Sequence, residues 1–212
     1  MNAFGFALIG VLLGLRHAID ADHVAAVATI VSRERSFGRA AWIGALWGIG
    51  HSLSVMVVGG AMVVFRVSVP PRIGLSLELG VAVMLILLGY RNLARGDHHH
   101  PERAEVRRPL LVGIVHGLAG SAAVALLVLA TIPGAWAALM YLAVFCVGTT
   151  AGMVAVTGLM AVPAVLAEGR MERFDRGLRL ATGLLSIGFG VFLAHQIISN
   201  GLFGANPSWT PR

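Results

Sequence analysis

The chain contains no lysine, a single cysteine and few charges of either sign. Charged residues make up 12% of its 212 residues, about half the share found in an average soluble domain. The lone Cys146 excludes a disulfide framework and a paired-cysteine metal or redox site. No arginine precedes Arg16, which argues against a cleaved signal peptide. The lack of a Walker-type glycine-rich loop argues against ATP hydrolysis.

Apolar residues dominate what is present. They form 57% of the chain, and the mean hydropathy is +0.83. Six apolar segments reach the roughly 20 residues that a helix needs to cross the hydrocarbon core. These segments are 4–31, 39–65, 73–93, 110–132, 135–166 and 177–198. We therefore predict an all-α, polytopic integral membrane protein with six transmembrane helices and one transmembrane domain over residues 1–212. The longer segments leave room for a tilt or a break.

The sixteen arginines predict the orientation of these helices. Twelve of them lie in the first, third and fifth connecting loops, and only Arg66, Arg72 and Arg212 lie on the opposite side. Positively charged loops face the cytoplasm, so both termini are expected outside the cell membrane. The net charge of +6 therefore reports topology and does not indicate nucleic-acid binding.

The chain also repeats itself weakly. Three motifs recur in the same order at offsets of 99, 98 and 101 residues: 14–19 with 113–118, 47–52 with 145–150, and 78–89 with 179–190. Each unit holds three helices, an odd number, so the second copy is expected to be inverted in the membrane. Such repeats are typical of secondary transporters, whose substrate site lies near the midplane. The alternative is that glycine-rich apolar segments resemble one another through composition alone.

These offsets predict the organisation of the domain. Repeat one spans 1–95, a cytoplasmic loop spans 96–108, repeat two spans 109–200, and a short outer tail spans 201–212.

The first apolar segment carries an unusual polar cluster, made of His17, Asp20, Asp22 and His23, with Arg16 beside it. Each charged side chain near the bilayer centre costs roughly 2.5–3.5 kcal/mol on the insertion scale, and such groups usually mark an ion pathway. A mixed imidazole and carboxylate set suits a borderline divalent first-row cation better than a proton relay. The alternative is a buried hydrogen-bond network that only fixes helix packing.

Helical geometry leaves two arrangements of this cluster open. On an intact helix, His17, Asp20 and His23 share one face about 120° wide, and Asp22 falls outside it. Asp22 would then support a ligand from behind or act as a partner between helices, for example to Arg16. Otherwise the helix is locally unwound and Asp22 joins the other three.

Other polar residues are weaker candidates. His51 follows Gly50 in the second segment, and His116 is the repeat counterpart of His17. Thr149 is the counterpart of His51. Each is a candidate metal ligand, with helix packing as the alternative. The run 98–100 consists of three histidines in the third loop, where it either catches an emerging ion or is simply solvated.

The stretch from His17 to His23, preceded by Arg16, resembles the His-x4-Asp-His signature of the nickel/cobalt permease family (NiCoT). The run of Gly50, His51 and a serine resembles that family's second motif. This resemblance implies uptake of Ni²⁺ or Co²⁺, with His17, Asp22, His23 and His51 in the metal path. It implies no cofactor apart from the transported ion, which is the substrate. The expected partners are membrane lipid and a downstream nickel-enzyme maturation system, and nucleic acid is not expected.

The chain departs from typical members of that family. It is shorter, and it has Gly117 and Thr149 in regions where longer members carry acidic residues. It is therefore more similar to the short, six-helix UreH-type branch. Two alternatives remain open: a permease that exports nickel or cobalt, and a membrane metalloenzyme that uses a metal-bound water as nucleophile. No large extramembrane segment is present to build a substrate cleft, so an enzyme is not expected.

Overall fold

A computed structural model describes residues 3–31, 34–67, 69–94, 106–118, 132, 134–166, 172–199 and 201–204. These residues form seven helices and no strand: α1 (Ala3–His17), α2 (Ala21–Val31), α3 (Phe37–Phe65), α4 (Pro71–Ala94), α5 (Arg107–Leu118), α6 (Ala135–Leu166) and α7 (Glu172–Ser199). The predicted all-α class is thereby confirmed for the described part of the chain. Four of the helices, α3, α4, α6 and α7, are long and apolar enough to cross a membrane.

Local sequence explains where the long helices begin and end. The side chain of Ser36 accepts a hydrogen bond from the backbone N–H of Arg39 (3.5 Å) and so caps the start of α3. Arg66 adopts the left-handed conformation, with φ at 53°, and ends that helix. Pro71 begins α4, because the first turn of a helix does not use its N–H. Gly134, with φ at 98°, makes the turn into α6.

The first predicted span is broken in its middle. α1 ends at His17 and α2 begins at Ala21. Between them the backbone N–H of Ile19 bonds to the carbonyl of Arg16 (3.1 Å), and that of Asp20 bonds to the carbonyl of His17 (3.1 Å). These tight turns replace the regular helical ladder at the polar cluster. Of the two arrangements that the sequence left open, the structure has the locally unwound one.

The fourth predicted span, 110–132, is only partly described. α5 covers its first part up to Leu118, and Pro109 lies in the first turn of that helix, as predicted. Residues 119–131 lie outside the described residues, as do most of the predicted cytoplasmic loop, its three histidines and most of the tail.

Two antiparallel helix pairs form the frame of the molecule. In the first pair, Gly44 and Ser52 of α3 meet Thr157 and Cys146 of α6, in reverse order along the chain. The second pair is α4 with α7, where the amide of Asn92 donates a hydrogen bond to the hydroxyl of Thr182 (3.0 Å). The buried hydroxyl of Ser186 donates to the carbonyl of Leu85 in the same interface (2.8 Å). Buried polar contacts of this kind hold membrane helices in register.

Two shorter helices each run parallel to one member of the pair formed by α3 and α6. α1 lies along α6 and α5 lies along α3, through close approaches of Gly10 to Tyr141, Gly14 to Phe145, Gly113 to Trp47 and Gly117 to His51. A β-carbon on Gly14 would collide with the carbonyl oxygen of Phe145, and one on Gly113 would collide with that of Trp47. Only glycine permits backbones to approach so closely. The two contacts are related by the sequence offsets of 99 and 98 residues.

The outward faces of these helices are apolar. Exposed side chains include Leu12, Val57, Leu159 and Leu184. The buried core between the helices contains Trp47, Leu85, Leu142, Phe145 and Met153. Many exposed apolar side chains on helices of this length fit lipid and not water. The protein is a multi-pass membrane protein.

Candidate metal centre

The break in the first span places polar side chains against the interior of the molecule. His17 is the last residue of α1, and His23 lies in the first turn of α2. His51 comes from the middle of α3 and His116 from α5. All four imidazoles are buried, with at most 6% of any of them exposed. Four histidines from four helices therefore converge on one buried region.

Three of these imidazoles form a compact group. The Nε2 atoms of His17 and His51 are 3.2 Å apart. The ring centre of His23 lies 4.6 Å from that of His17 and 5.2 Å from that of His51. One ligand atom from each of the three lies within 4.8 Å of the others. Two nitrogens bound at about 2.1 Å to one metal, about 100° apart, would lie about 3.2 Å from each other.

Asp22 lies on the other side of His23. Its Oδ1 accepts a hydrogen bond from the backbone N–H of His23 (2.9 Å) and lies 3.0 Å from Nδ1 of that ring. Its Oδ2 lies 3.0 Å from Nε2 of His116. Asp22, His23 and His116 make a second group whose ligand atoms lie within 4.8 Å of one another. The hydrogen-bond partners of Asp22 in the described residues are thus histidines, and the pairing with Arg16 considered above is wrong.

Asp20 has a different position. Its Oδ2 lies 2.8 Å from Nδ1 of His17, and 42% of its side chain is exposed. It belongs to neither of the two groups. A carboxylate behind an imidazole draws the ring proton to the near nitrogen and leaves a lone pair on the far one. Asp20 therefore orients His17, and its role as a direct ligand stays a prediction.

Several ring nitrogens of the cluster lack a partner inside the described structure. They are Nε2 of His23, Nδ1 of His51 and Nδ1 of His116, all fully buried. Burying a polar atom without a hydrogen bond usually costs about 1–3 kcal/mol. Such an arrangement is expected where a ligand supplies the missing contact. The imidazole-rich donor set with one or two carboxylates fits a borderline divalent cation.

Two aromatic rings enclose the histidines. Trp47 lies 5.3 Å from the ring of His23 and 5.8 Å from that of His116. Phe145 lies 5.6 Å from the ring of His17. Both aromatic side chains are 1% exposed. They limit the rotation of the imidazoles and exclude water from them.

Sequence reasoning did not single out Trp47 and Phe145 as part of the site. The signal that could have found them was their repeat equivalence at an offset of 98 residues, four positions before His51 and Thr149. His116 was ranked below the other histidines, yet it is as buried as His23. Its repeat equivalence to His17 was the signal that it belongs to the site.

Thr149 and its neighbours form a separate polar contact. The hydroxyl of Thr149 donates to the backbone carbonyl of Phe145 (3.0 Å) within α6. Ser52 donates to the carbonyl of Cys146 (3.2 Å) and lies 3.0 Å from the hydroxyl of Thr150. The two contacts of Ser52 join α3 to α6. A ligand role for Thr149 stays a prediction.

Comparison with known proteins gives three findings. The family model described as "High-affinity nickel-transport protein" (NicO) matches residues 3–95. The urease accessory protein UreH of Bacillus sp. (strain TB-90) is 32% identical over 213 residues, which cover 92% of this chain and 93% of that protein. A high-affinity nickel transport protein of Cupriavidus necator is 34% identical over 80 residues, covering 37% of this chain and 23% of that protein. No solved structure matches the chain.

Proposed function

The chain belongs to the NicO family of nickel-transport proteins, and we propose that it carries Ni²⁺, with Co²⁺ as the alternative cargo, through the buried histidine and aspartate cluster. The observation that carries this proposal is the convergence of His17, His23 and His51 with Asp22 in the interior of an apolar helical molecule. A purely structural network would pair its ring nitrogens, whereas three of these are buried without a partner. The family is one of transporters, and an enzymatic role finds no comparable support.

The architecture we propose is six spans in two inverted three-helix repeats within one domain. α1 with α2, α3 and α4 form the first repeat, and α5 with the residues after it, α6 and α7 form the second. The antiparallel packing of α3 against α6 and of α4 against α7 supports this arrangement, because each pair consists of repeat counterparts. The exchanged contacts of Gly14 with Phe145 and of Gly113 with Trp47 support it further.

In the proposed mechanism the side chains of the cluster replace the water ligands of a hydrated cation. Neutral imidazoles of His17, His23 and His51 replace water ligands, and Asp22 supplies negative charge beside them. Asp20 fixes the ring of His17, so that its Nε2 lone pair is directed at the ion. Because imidazole nitrogen binds Ni²⁺ and Co²⁺ far better than Mg²⁺ or Ca²⁺, the site rejects the abundant hard cations.

We propose uptake, as the resemblance to nickel/cobalt permeases implies. With the arginine-rich loops in the cytoplasm and both termini outside, the ion would then enter from the outer side and leave toward the cytoplasm. Rocking of the two repeats about the cluster would expose it to each side in turn. Since a relative that matches 92% of this chain is named a urease accessory protein, we propose a cytoplasmic nickel enzyme as the final recipient.

Transport in liposomes tests this proposal. Purified protein is reconstituted and radioactive nickel is added outside. His17→Ala and Asp22→Asn should each reduce accumulation to the level of empty liposomes, because each removes a donor from the cluster. His195→Gln, a change on the exposed side of α7, is the matched control and should transport normally.

If both cluster variants retain uptake, His17 and Asp22 do not lie in the ion path. Substrate turnover without metal flux would favour the metalloenzyme. A right-side-out preparation that only releases loaded nickel would favour export.

A further inference from the structure

The cluster contains two sets of ligand atoms that overlap in one residue. The first set is His17, His23 and His51, and the second is Asp22, His23 and His116. Within each set the atoms lie within 4.8 Å of one another. The ring of His116 is 6.1 Å from that of His51, whereas His23 lies 4.2 Å from His116 and 4.6 Å from His17. His23 is the central ring.

The two nitrogens of His23 have different surroundings. Nδ1 lies 3.0 Å from Oδ1 of Asp22, which belongs to the second set. Nε2 is buried and has no hydrogen-bond partner in the described residues, and it is the nitrogen left for the first set. The two nitrogens of the ring therefore face different ligand sets.

We propose that the cluster holds two overlapping cation positions and that one ion moves from the first to the second beside the shared ring of His23. This inference rests on the proposed function. In the first position the ion has three neutral imidazoles. In the second it exchanges His17 and His51 for the carboxylate of Asp22 and the imidazole of His116. Because both sets include the ring of His23, the ion changes ligands over a short distance within one cluster. Neighbouring sites of moderate strength allow an ion both to enter and to leave.

The second position also joins the two parts of the chain. His17, Asp22, His23 and His51 all precede residue 95, and His116 alone follows it. An ion in the second position therefore bonds across the two proposed repeats, and one in the first position does not. Because the two positions share His23, we expect one ion in the cluster at a time.

Cobalt binding to the full-length protein in detergent tests this proposal. Co²⁺ is the probe, because its visible absorption bands report the ligand set. Residues 98–100 are first changed from histidine to glutamine in every sample, which removes an unrelated chelating run. His51→Gln and His17→Gln impair the first set; His116→Gln and Asp22→Asn impair the second. His23→Gln impairs both, and His195→Gln is the control.

We expect the parent protein to bind one Co²⁺ per chain. The variants of either set should still bind one Co²⁺, roughly tenfold or more weakly, and the two sets should give different visible spectra. His23→Gln should bind none. All variants except the control should lose nickel uptake in liposomes. Gel filtration and far-UV circular dichroism identify any variant that misfolds, and the second variant of that set then replaces it.

Loss of all cobalt binding in folded variants of both sets would show a single site and overturn the two positions, while leaving the proposed function intact. Identical spectra in the two sets would do the same. A parent protein that binds no Co²⁺ and transports no nickel would overturn the proposed function and this inference together.

Discussion

At the scale of single residues, two aspartates two positions apart have different surroundings. Asp22 is 18% exposed and contacts two buried histidines, whereas Asp20 is 42% exposed and contacts one. The break between α1 and α2 creates this difference, because it turns Asp22 toward the interior. Identical side chains at this spacing are therefore expected to respond differently to the same substitution.

Asp20→Asn should weaken nickel binding about 10- to 100-fold without abolishing transport, as is usual for a carboxylate that orients a ligating histidine. Asp22→Asn should abolish transport, because it removes the negative charge that contacts two buried histidines. The measurement is the concentration dependence of nickel uptake in liposomes. Equal losses in both variants would contradict the assignment of Asp20 as an orienting residue.

Trp47→Leu should lower nickel affinity roughly tenfold at an unchanged amount of folded protein, because the rings of His23 and His116 lose the wall that limits their rotation. Trp42→Leu on the same helix is the matched control, since Trp42 is 52% exposed on the outer surface. Isothermal titration with Ni²⁺ measures both. If Trp42→Leu lowers nickel affinity to a similar degree, the effect comes from a change in the helix and not from the lost contact of Trp47 with the histidine rings.

At the scale of the helices, close backbone contact depends on glycine at particular positions. Gly14 of α1 meets the backbone of α6, while Gly188 of α7 has nothing within 4 Å of an added β-carbon. The same substitution should therefore destabilise the protein at Gly14 and not at Gly188.

Gly14→Ala should destabilise the protein by about 1–3 kcal/mol through overpacking. Gly188→Ala should be neutral or stabilise it by up to about 1 kcal/mol, because alanine favours the helix. Thermal unfolding in detergent, followed by circular dichroism, provides the comparison. A Gly14 variant as stable as the parent would show that α1 and α6 can separate at little cost.

At the scale of the whole molecule, the arginine distribution predicts which side of the membrane each loop faces. Val67 and Phe203 lie at one predicted side, and Val106, before α5, lies at the other. All three are exposed, so each can report its side through a cysteine.

In a Cys146→Ser background, Val67→Cys and Phe203→Cys should react with an impermeant maleimide in intact cells. Val106→Cys should react only after the membrane is permeabilised. The readout is the labelled fraction of each variant, and normal nickel uptake is required of all three. The reverse pattern would contradict the proposed topology.

The sequence alone was sufficient for the class of the molecule and for most members of its polar cluster. Long apolar segments predict membrane helices through the thickness of the bilayer, and His17, Asp22 and His23 are conspicuous because charge is costly there. Periodicity could not decide whether the first span is continuous, because an intact and an unwound helix share the same residues. Only the tertiary structure turned Asp22 inward, brought His116 from 93 residues away in the chain to His23, and placed Trp47 and Phe145 around the rings. Those contacts depend on how the helices pack. Packing is set by many weak interactions between distant segments, so the sequence pattern of a single segment does not predict it.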